Sequence, residues 1–410
     1  MRILICNWKD RRHPAAGGAE VYTHECAKRW AGAGHEVTLF CAAVEGEPEV
    51  DERPGYRIVR RGSRIGVYAA AKKFIRTNRD SFDVIVDEIN TRPFFAHRYS
   101  KGTPVVALAH QVAREVWFHE TPWPLAVVGR YVLEPMWLRA YAGVPTLTVS
   151  NSSAESLRGY GLRNLSVVLE GVEIPATVAL PVPKSDVPTL AFCGRMVSTK
   201  RPEDAIRAFS LATEQLGDTA ELHMIGVGPL LQSLRASAPK GVIFHGSVSQ
   251  KEKYEILGRA DALLCTSQRE GWGLVVSEAA AVGTPTIGYD VDGLRDSITA
   301  AEGVLVTPTI DALADAVGKW VPEFRKATPP TLRYGGAASW DAVAADVLRH
   351  LESVVSGSGL CAPTSREIDL REGSVSVEAG AAQPSTESTS VVSLDLVEAE
   401  QSHLLGTGVK

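Results

Sequence analysis

The sequence predicts an α/β protein built from two doubly wound domains, and three observations carry that prediction. The chain has 410 residues, too many for one ordinary hydrophobic core. Short apolar, β-rich runs alternate with helical stretches through most of it, the pattern of parallel sheets covered by helices. Three prolines between Pro181 and Pro188 interrupt the alternation near the middle, as a linker does.

In the first half the strands fall at Arg2 to Asn7, Glu36 to Cys41, Asp83 to Asp87, Pro104 to Ala109, Pro145 to Val149 and Ser166 to Leu169. Most carry little polar alternation, as strands buried on both faces should. In the second half they fall at Thr189 to Cys193, Glu221 to Ile225, Val242 to His245, Asp261 to Cys265, Thr284 to Gly288 and Gly303 to Val306. The expected organisation is a first domain over residues 1–180, a linker over 181–188 and a second domain over 189–337. A last helix over 338–355 carries Trp340, Val343, Ala344, Val347, Leu348 and Leu351 at helical spacing, and should pack on a domain face. From Ser356 to Lys410 the composition turns to Ser, Thr, Glu, Gly and Ala, which reads as a disordered tail, with Val391, Val392, Leu394 and Leu396 as its exception.

Composition narrows the function. Hydrophobic residues make up 45% and charged residues 22%, and the net charge of −5 argues against nucleic acid as the main partner. Cys6, Cys26, Cys41, Cys193, Cys265 and Cys361 are scattered singly, without the close pairs that zinc or a redox dithiol needs. The N-terminus has neither a basic leader nor a small-residue cleavage site, so a cytoplasmic location is expected. Arg130, Glu134 and Arg139 interrupt the best apolar stretch, leaving peripheral contact as the expected form of any membrane association. That contact has a candidate in residues 57–79, where Arg57, Arg60, Arg61, Arg64, Lys72, Lys73, Arg76 and Arg79 accumulate and no acidic residue appears. A helix over Ile65 to Thr77 aligns Val67, Ala70, Ala71, Phe74 and Ile75, and Trp117, Phe118, Trp123, Tyr131, Trp137 and Tyr141 follow. Such a segment suits the anionic inner face of a membrane or an acidic acceptor, or else is a solvated basic face with its aromatics in the core.

The chemistry concentrates at strand-to-helix turns. The run Glu270-Gly271-Trp272-Gly273-Leu274, with Glu278 two helical turns on, follows a strand and opens a helix. Gly271 and Gly273 let backbone amides approach a ligand, the helix N-terminus suits phosphate, and the two carboxylates suit sugar hydroxyls. After another strand come Gly194, Arg195 and Lys200, with Pro202 opening a helix. Two cations at the carboxyl end of a parallel strand can neutralise a departing diphosphate, a task often given to a metal. Gly17-Gly18 is a glycine loop without the full dinucleotide fingerprint, and Gly226 with Gly228 forms a turn that could border a base or ribose. His110 closes the run Val105 to Ala109, either as a ligand group or as a buried structural histidine. Asp290-Val291-Asp292 superficially resembles an Asp-x-Asp metal motif but reads better as a turn and helix cap, so no metal is assigned.

In this order, on both sides of a proline-rich linker, these pieces resemble glycosyltransferase family 4, the retaining enzymes with two facing Rossmann-like domains, the GT-B architecture. The resemblance covers roughly residues 1–355 and rests most on Glu270 and Glu278 with seven residues between. It implies that Glu270 and the amides after it, from Gly271 through Trp272, Gly273 and Leu274, hold the donor sugar. It implies that Glu278 binds the ribose and that Arg195 and Lys200 hold the diphosphate, with His110 against the sugar; Gly194, Gly17 and Gly18 lend the resemblance further support. The donor would be a nucleoside-diphosphate sugar, with no cofactor, and the acceptor a glycan, a lipid or a small metabolite. It also implies that the last helix crosses back to the first domain. Gln111 departs from the pattern, because an acidic residue often follows the histidine. The rival readings are a nicotinamide oxidoreductase, disfavoured by the incomplete glycine fingerprint, and a nucleotide-sugar-binding protein without turnover.

Overall fold

The structure is a computed structural model describing residues 1–326 and 338–361. The expected end of the second domain, 327–337, and all of the expected tail of 356–410 past residue 361 lie outside the described residues.

Among the described residues, one sheet is formed by β1 (Arg2–Cys6), β2 (Glu36–Cys41), β3 (Val50–Arg53), β4 (Tyr56–Arg60), β5 (Val84–Glu88), β6 (Val105–Ala109), β7 (Thr146–Thr148) and β8 (Leu165–Val167). Its order is β3-β4-β2-β1-β5-β6-β7-β8, parallel throughout except for the β3–β4 hairpin. A short strand β9 (Gly171–Val172) precedes the second sheet. That sheet comprises β10 (Thr189–Cys193), β11 (Glu221–Ile225), β12 (Val242–Gly246), β13 (Ala262–Cys265), β14 (Thr286–Tyr289) and β15 (Val304–Val306). Its order is β12-β11-β10-β13-β14-β15, all parallel. Cover on both faces of the sheet follows from strands such as β5 and β6, in which every residue is buried.

The β3–β4 hairpin is absent from the sequence reading. Its outer strand is a polar edge, Val50-Asp51-Glu52-Arg53, turned by Pro54 and Gly55, the latter at φ +88. This hairpin corrects the basic stretch 57–79, because Arg57 and Arg60 belong to a strand. Arg60 is buried, its Nε donating to Asp10 Oδ2 at 2.8 Å and its Nη1 to Asp51 Oδ2 at 3.2 Å. It therefore takes no part in a surface patch.

Helices α1 (Gly18–Gly32), α2 (Val67–Thr77), α3 (Trp117–Glu120), α4 (Trp123–Val128), α5 (Glu134–Arg139) and α6 (Asn151–Gly159) belong to the first lobe, with a π-helical turn Gly129–Leu133 joining α4 to α5. The second lobe carries α7 (Pro202–Leu216), α8 (Leu231–Ser237), α9 (Gln250–Arg259), α10 (Leu274–Ala281), α11 (Leu294–Ala300) and α12 (Ile310–Lys326). The last helix, α13 (Trp340–Val355), packs on α1 of the first lobe. Its Trp340, Val343, Ala344, Val347 and Leu351 join the core of Ile3, Ile5, Leu39 and Val86, and Trp30 Nε1 donates to the Ala344 carbonyl at 2.8 Å. A strand β16 (Ala338–Ser339) pairs with β9 just before it.

The proline-rich segment is anchored on the second lobe. Val182 is buried there, Lys184 Nζ donates to the Ala260 carbonyl at 2.7 Å, and Arg325 Nη1 donates to the Val187 carbonyl at 2.9 Å. Burial lowers the Lys184 ammonium to about 8. All six cysteines are free thiols, and Cys6, Cys26, Cys41 and Cys265 are buried. Among the described residues, no helix is long and apolar enough to cross a membrane.

Candidate functional site

Ligands of open α/β sheets gather outside the carboxyl ends of the strands, and here those ends of the two sheets meet. In the second lobe, β10 runs into Gly194, Arg195 and the short turn Ser198–Lys200, while β13 runs into Thr266, Ser267 and Glu270. Thr266 Oγ1 donates to the Lys200 carbonyl at 2.8 Å, and the Gln268 amide to the Thr199 carbonyl at 2.9 Å. With the loops laced together, the Lys200 ammonium forms an ion pair with Glu270 Oε1, and Ser267 Oγ donates to the same oxygen at 2.6 Å. Arg195, five residues before Lys200 in the same loop, is half-buried, its guanidinium without a side-chain partner among the described residues. A half-buried cation left unpaired is costly unless an anion meets it.

Two helix N-termini approach one another just past Glu270. Gly273 caps α10 in the left-handed region at φ 95, and Gly17 caps α1. Gly18 and Leu274 stand across from one another, so that a Cβ on Gly18 would lie 3.3 Å from Leu274 Cδ1. Each terminus presents unpaired amides and partial positive charge. At Gly271 a Cβ would come within 2.7 Å of the His110 carbonyl oxygen, so only glycine lets the lobes approach this closely.

Several sequence-selected residues have other surroundings. The Trp272 indole is 1% exposed within the first lobe's core, and its Nε1 donates to Ser277 Oγ at 2.9 Å. Only its backbone can face a ligand. Gly226 and Gly228 pack the loop after β11 against the loop after β10, since a Cβ on Gly226 would overlap the Gly194 carbonyl oxygen and one on Gly228 would lie 2.4 Å from that of Met196. Glu278, on α10, accepts from Lys253 Nζ at 2.6 Å.

The first lobe contributes a buried acidic cluster that sequence reasoning missed. His110 lies at the end of β6, with Nδ1 3.4 Å from Glu170 Oε1, and its Nε2 has no partner among the described residues. The acid absent at Gln111 is thus supplied 60 residues away in the chain. Burial pulls the imidazole pKa down, but Glu170, Glu88 and Glu20 outweigh it and hold the pKa above the usual histidine value. Glu88 accepts from Asn7 Nδ2 and from Thr23 Oγ1, both at 2.6 Å, and burial pushes its carboxyl up to about 7. Glu20 closes back on the Gly17 amide at 2.6 Å, with Lys9 Nζ 3.3 Å from its other oxygen. The available signal was an acid directly after a strand, at Glu88 after Asp87 and at Glu170 after Leu169.

Polar contacts join the lobes. The Gly293 amide donates to Ser152 Oγ at 2.8 Å, Ser156 Oγ donates to Asp292 Oδ2 at 3.2 Å, and Arg269 Nη1 donates to that same oxygen at 2.6 Å. Asp292 is therefore a bridge between lobes, and the cap of α11 is Gly293.

Known proteins place this arrangement. The family model for Glycosyltransferase Family 4 matches residues 16–174, and that for Glycosyl transferases group 1 matches residues 180–326. A glycogen synthase of Mycobacterium tuberculosis is 27% identical over 358 residues, which covers 77% of this chain and 85% of that one. A GDP-mannose-dependent α-(1-6)-phosphatidylinositol monomannoside mannosyltransferase of the same organism is 25% identical over 344 residues, covering 75% and 86%. Among solved structures, the sucrose-phosphate synthase of Thermosynechococcus elongatus shares the fold with a TM-score of 0.70 at 18% identity, over 87% of this chain and 100% of that one.

Proposed function

The chain belongs to glycosyltransferase family 4, with the GT-B fold, and from that premise we propose that it transfers a sugar with retention from a nucleoside-diphosphate donor, without a metal. The observation that supports this most is the gathering of Arg195, Lys200 and Glu270 on adjoining loops, with the N-termini of α1 and α10 meeting just past Glu270. In this reading the acceptor oxygen attacks the anomeric carbon from the face that the diphosphate leaves. The new glycosidic C–O bond forms as the C–O bond to phosphate breaks, and the acceptor proton passes to the departing phosphate oxygen. Arg195, Lys200 and the amides at Gly18, Gly273 and Leu274 oppose the charge that develops there. Lys200 would exchange part of its pairing with Glu270 for the phosphate, freeing Glu270 to accept from a sugar hydroxyl. The unpartnered, buried Nε2 of His110 would meet another hydroxyl of that sugar. Glu278 would hold the ribose from α10.

Thermal-shift measurements with UDP-, GDP-, ADP- and TDP-sugars test the donor, because a ligand that binds only the folded state raises its melting temperature. One nucleotide should stabilise strongly, with turnover that survives chelation of divalent metals and yields the donor's own anomer. An inverted product, or turnover abolished by chelation, would refute this mechanism.

A further inference from the structure

A cavity of about 200 Å³ opens in the first lobe, walled by Trp8, Arg64, Tyr68, Arg92, Trp117 and Trp137. Trp8 lies just beyond β1 and Arg92 just beyond β5, so the cavity sits at the carboxyl edge of the sheet, the edge that carries Asn7, Glu88 and His110. Its wall combines rings with cations. The Arg92 guanidinium carbon is 4.4 Å from the Tyr68 ring centroid and 6.0 Å from that of Trp137, and the Arg64 carbon is 5.7 Å from that of Trp8. Stacking fixes the Arg92 guanidinium by its face and leaves its edge to hydrogen-bond an oxyanion. A wall of this kind suits a phosphate on an apolar body.

The mouth continues into exposed apolar surface. Ile65 and Thr121 line the cavity, and Ile65 is 77% exposed. Two residues past Thr121 begins the segment α4, π-turn, α5, along which Trp123, Leu125, Tyr131, Val132 and Met136 are each more than half exposed. The two surfaces are mechanically one. The Trp117 ring, part of the cavity wall, rests on Gly129 of the π-turn so closely that a Cβ there would lie 2.2 Å from it. From Thr121 to Leu133 the segment holds no acidic residue and one cation, Arg130, while Lys73 and Arg76 are exposed on α2. Arg130 is largely buried and donates to the Tyr160 hydroxyl at 3.0 Å, so the accessible charge beside this face is that of Arg139, Lys73 and Arg76, which anionic headgroups complement.

Taking the transferase reading as given, we propose that the cavity seats the phosphate-bearing head of a lipid acceptor, and that the exposed face of α4 and α5 enters the anionic membrane holding that lipid. This assigns a substrate class to the acceptor side of the cleft. It also moves the membrane contact from residues 57–79 to the helical segment 121–136, with α2 as its basic flank.

The test is co-sedimentation of the full chain with phosphatidylglycerol and phosphatidylcholine vesicles at low salt, beside Trp123→Ser/Leu125→Ser and Arg92→Ala. Trp123 and Leu125 lie at the surface, so the double variant should keep its melting temperature. Binding should favour phosphatidylglycerol and weaken by about tenfold or more in the double variant, which loses two inserting side chains. Arg92→Ala should weaken it less. Absent binding, equal binding to both vesicle types, or unchanged binding by the double variant would overturn the proposal, as would a dimer that the double variant dissolves. Inorganic phosphate forms a separate arm: if it stabilises the protein through Arg92 while vesicle binding ignores both variants, the acceptor is a soluble phosphate and the lipid assignment fails. Nucleotide-sugar stabilisation, measured in every variant, reports separately on the transferase reading.

Discussion

The two faces of the cleft have opposite electrostatic character. The second lobe offers cations on loops and the positive end of α10: Lys200 is part-exposed and paired with Glu270, while Arg195 is half-buried and lacks a partner among the described residues. The first lobe offers carboxylates in the interior, Glu20, Glu88 and Glu170, around a buried histidine. The first arrangement suits a charge that develops and leaves, since preorganised cations stabilise it without further rearrangement. The second suits neutral hydroxyls, which fixed acceptors orient. In the proposed mechanism most of the charge handling therefore falls to the second lobe, joined by the Gly18 amide of the first, while the first lobe's buried acceptors orient hydroxyls.

That division breaks most directly at Lys200 and Glu270. Changing either to Ala should lower kcat/KM about a hundredfold, or on the order of 3 kcal/mol in the transition state, while the melting temperature stays near normal. Near-normal turnover in both purified variants would remove the charge-handling role from the second lobe. A narrower break is Gly271→Ala, whose Cβ would meet the His110 carbonyl at 2.7 Å. Misplaced reacting groups cost rate steeply, so turnover should fall about tenfold with donor binding preserved. A parallel loss of donor affinity would show that the contact belongs to the second lobe alone.

The first lobe is sharpened by pH. Glu88 has a folded pKa of about 7, raised by burial above the carboxylate value of an unfolded chain. The folded state therefore holds this proton more tightly, and the stability it contributes is present below the unfolded value and lost as pH climbs toward 7. His110, also raised, acts in the same direction over the upper part of that window. Glu88→Gln should flatten the decline in melting temperature between acid and neutral pH, removing at most about 3 kcal/mol of pH-dependent stability. An unchanged slope would mean that Glu88 is ionised throughout. The smallest effect is expected at Ser156→Ala, which removes one contact to Asp292 across the lobes and should cost about 1 kcal/mol or less. A large drop in turnover there would show that lobe closure rests on few contacts.

The same contrast governs what could be read from the chain. In the second lobe the chemistry is local: Gly194, Arg195 and Lys200 fall within one loop, and Glu270 to Leu274 within another, so spacing alone exposes them. In the first lobe the cluster is assembled by topology. Parallel crossovers bring Asn7 to Glu88 across 81 positions and His110 to Glu170 across 60, and no local pattern records such pairings. Strands buried on both faces were legible because apolar runs mark them. The polar edge hairpin β3–β4 was not, since Val50 to Arg53 has one solvated face and its signal lay in the Pro54-Gly55 turn. The destination of the Trp272 indole was not legible either, because only tertiary packing carries it into the other lobe's core.

The place of α13 sets an order of events during synthesis. The first sheet is complete once Val167 has been made, yet Trp340, Val347 and Leu351, which cover its α1 side, belong to the end of the described chain. At ordinary translation rates, on the order of 5 to 20 residues per second, that cover arrives roughly ten or more seconds later. Meanwhile Tyr22 and Trp30 have no partner from α13, and the nascent first lobe shows an apolar groove that only its own distant C-terminal helix is shaped to fill. The second lobe is therefore made while tethered to a neighbour still awaiting its last helix.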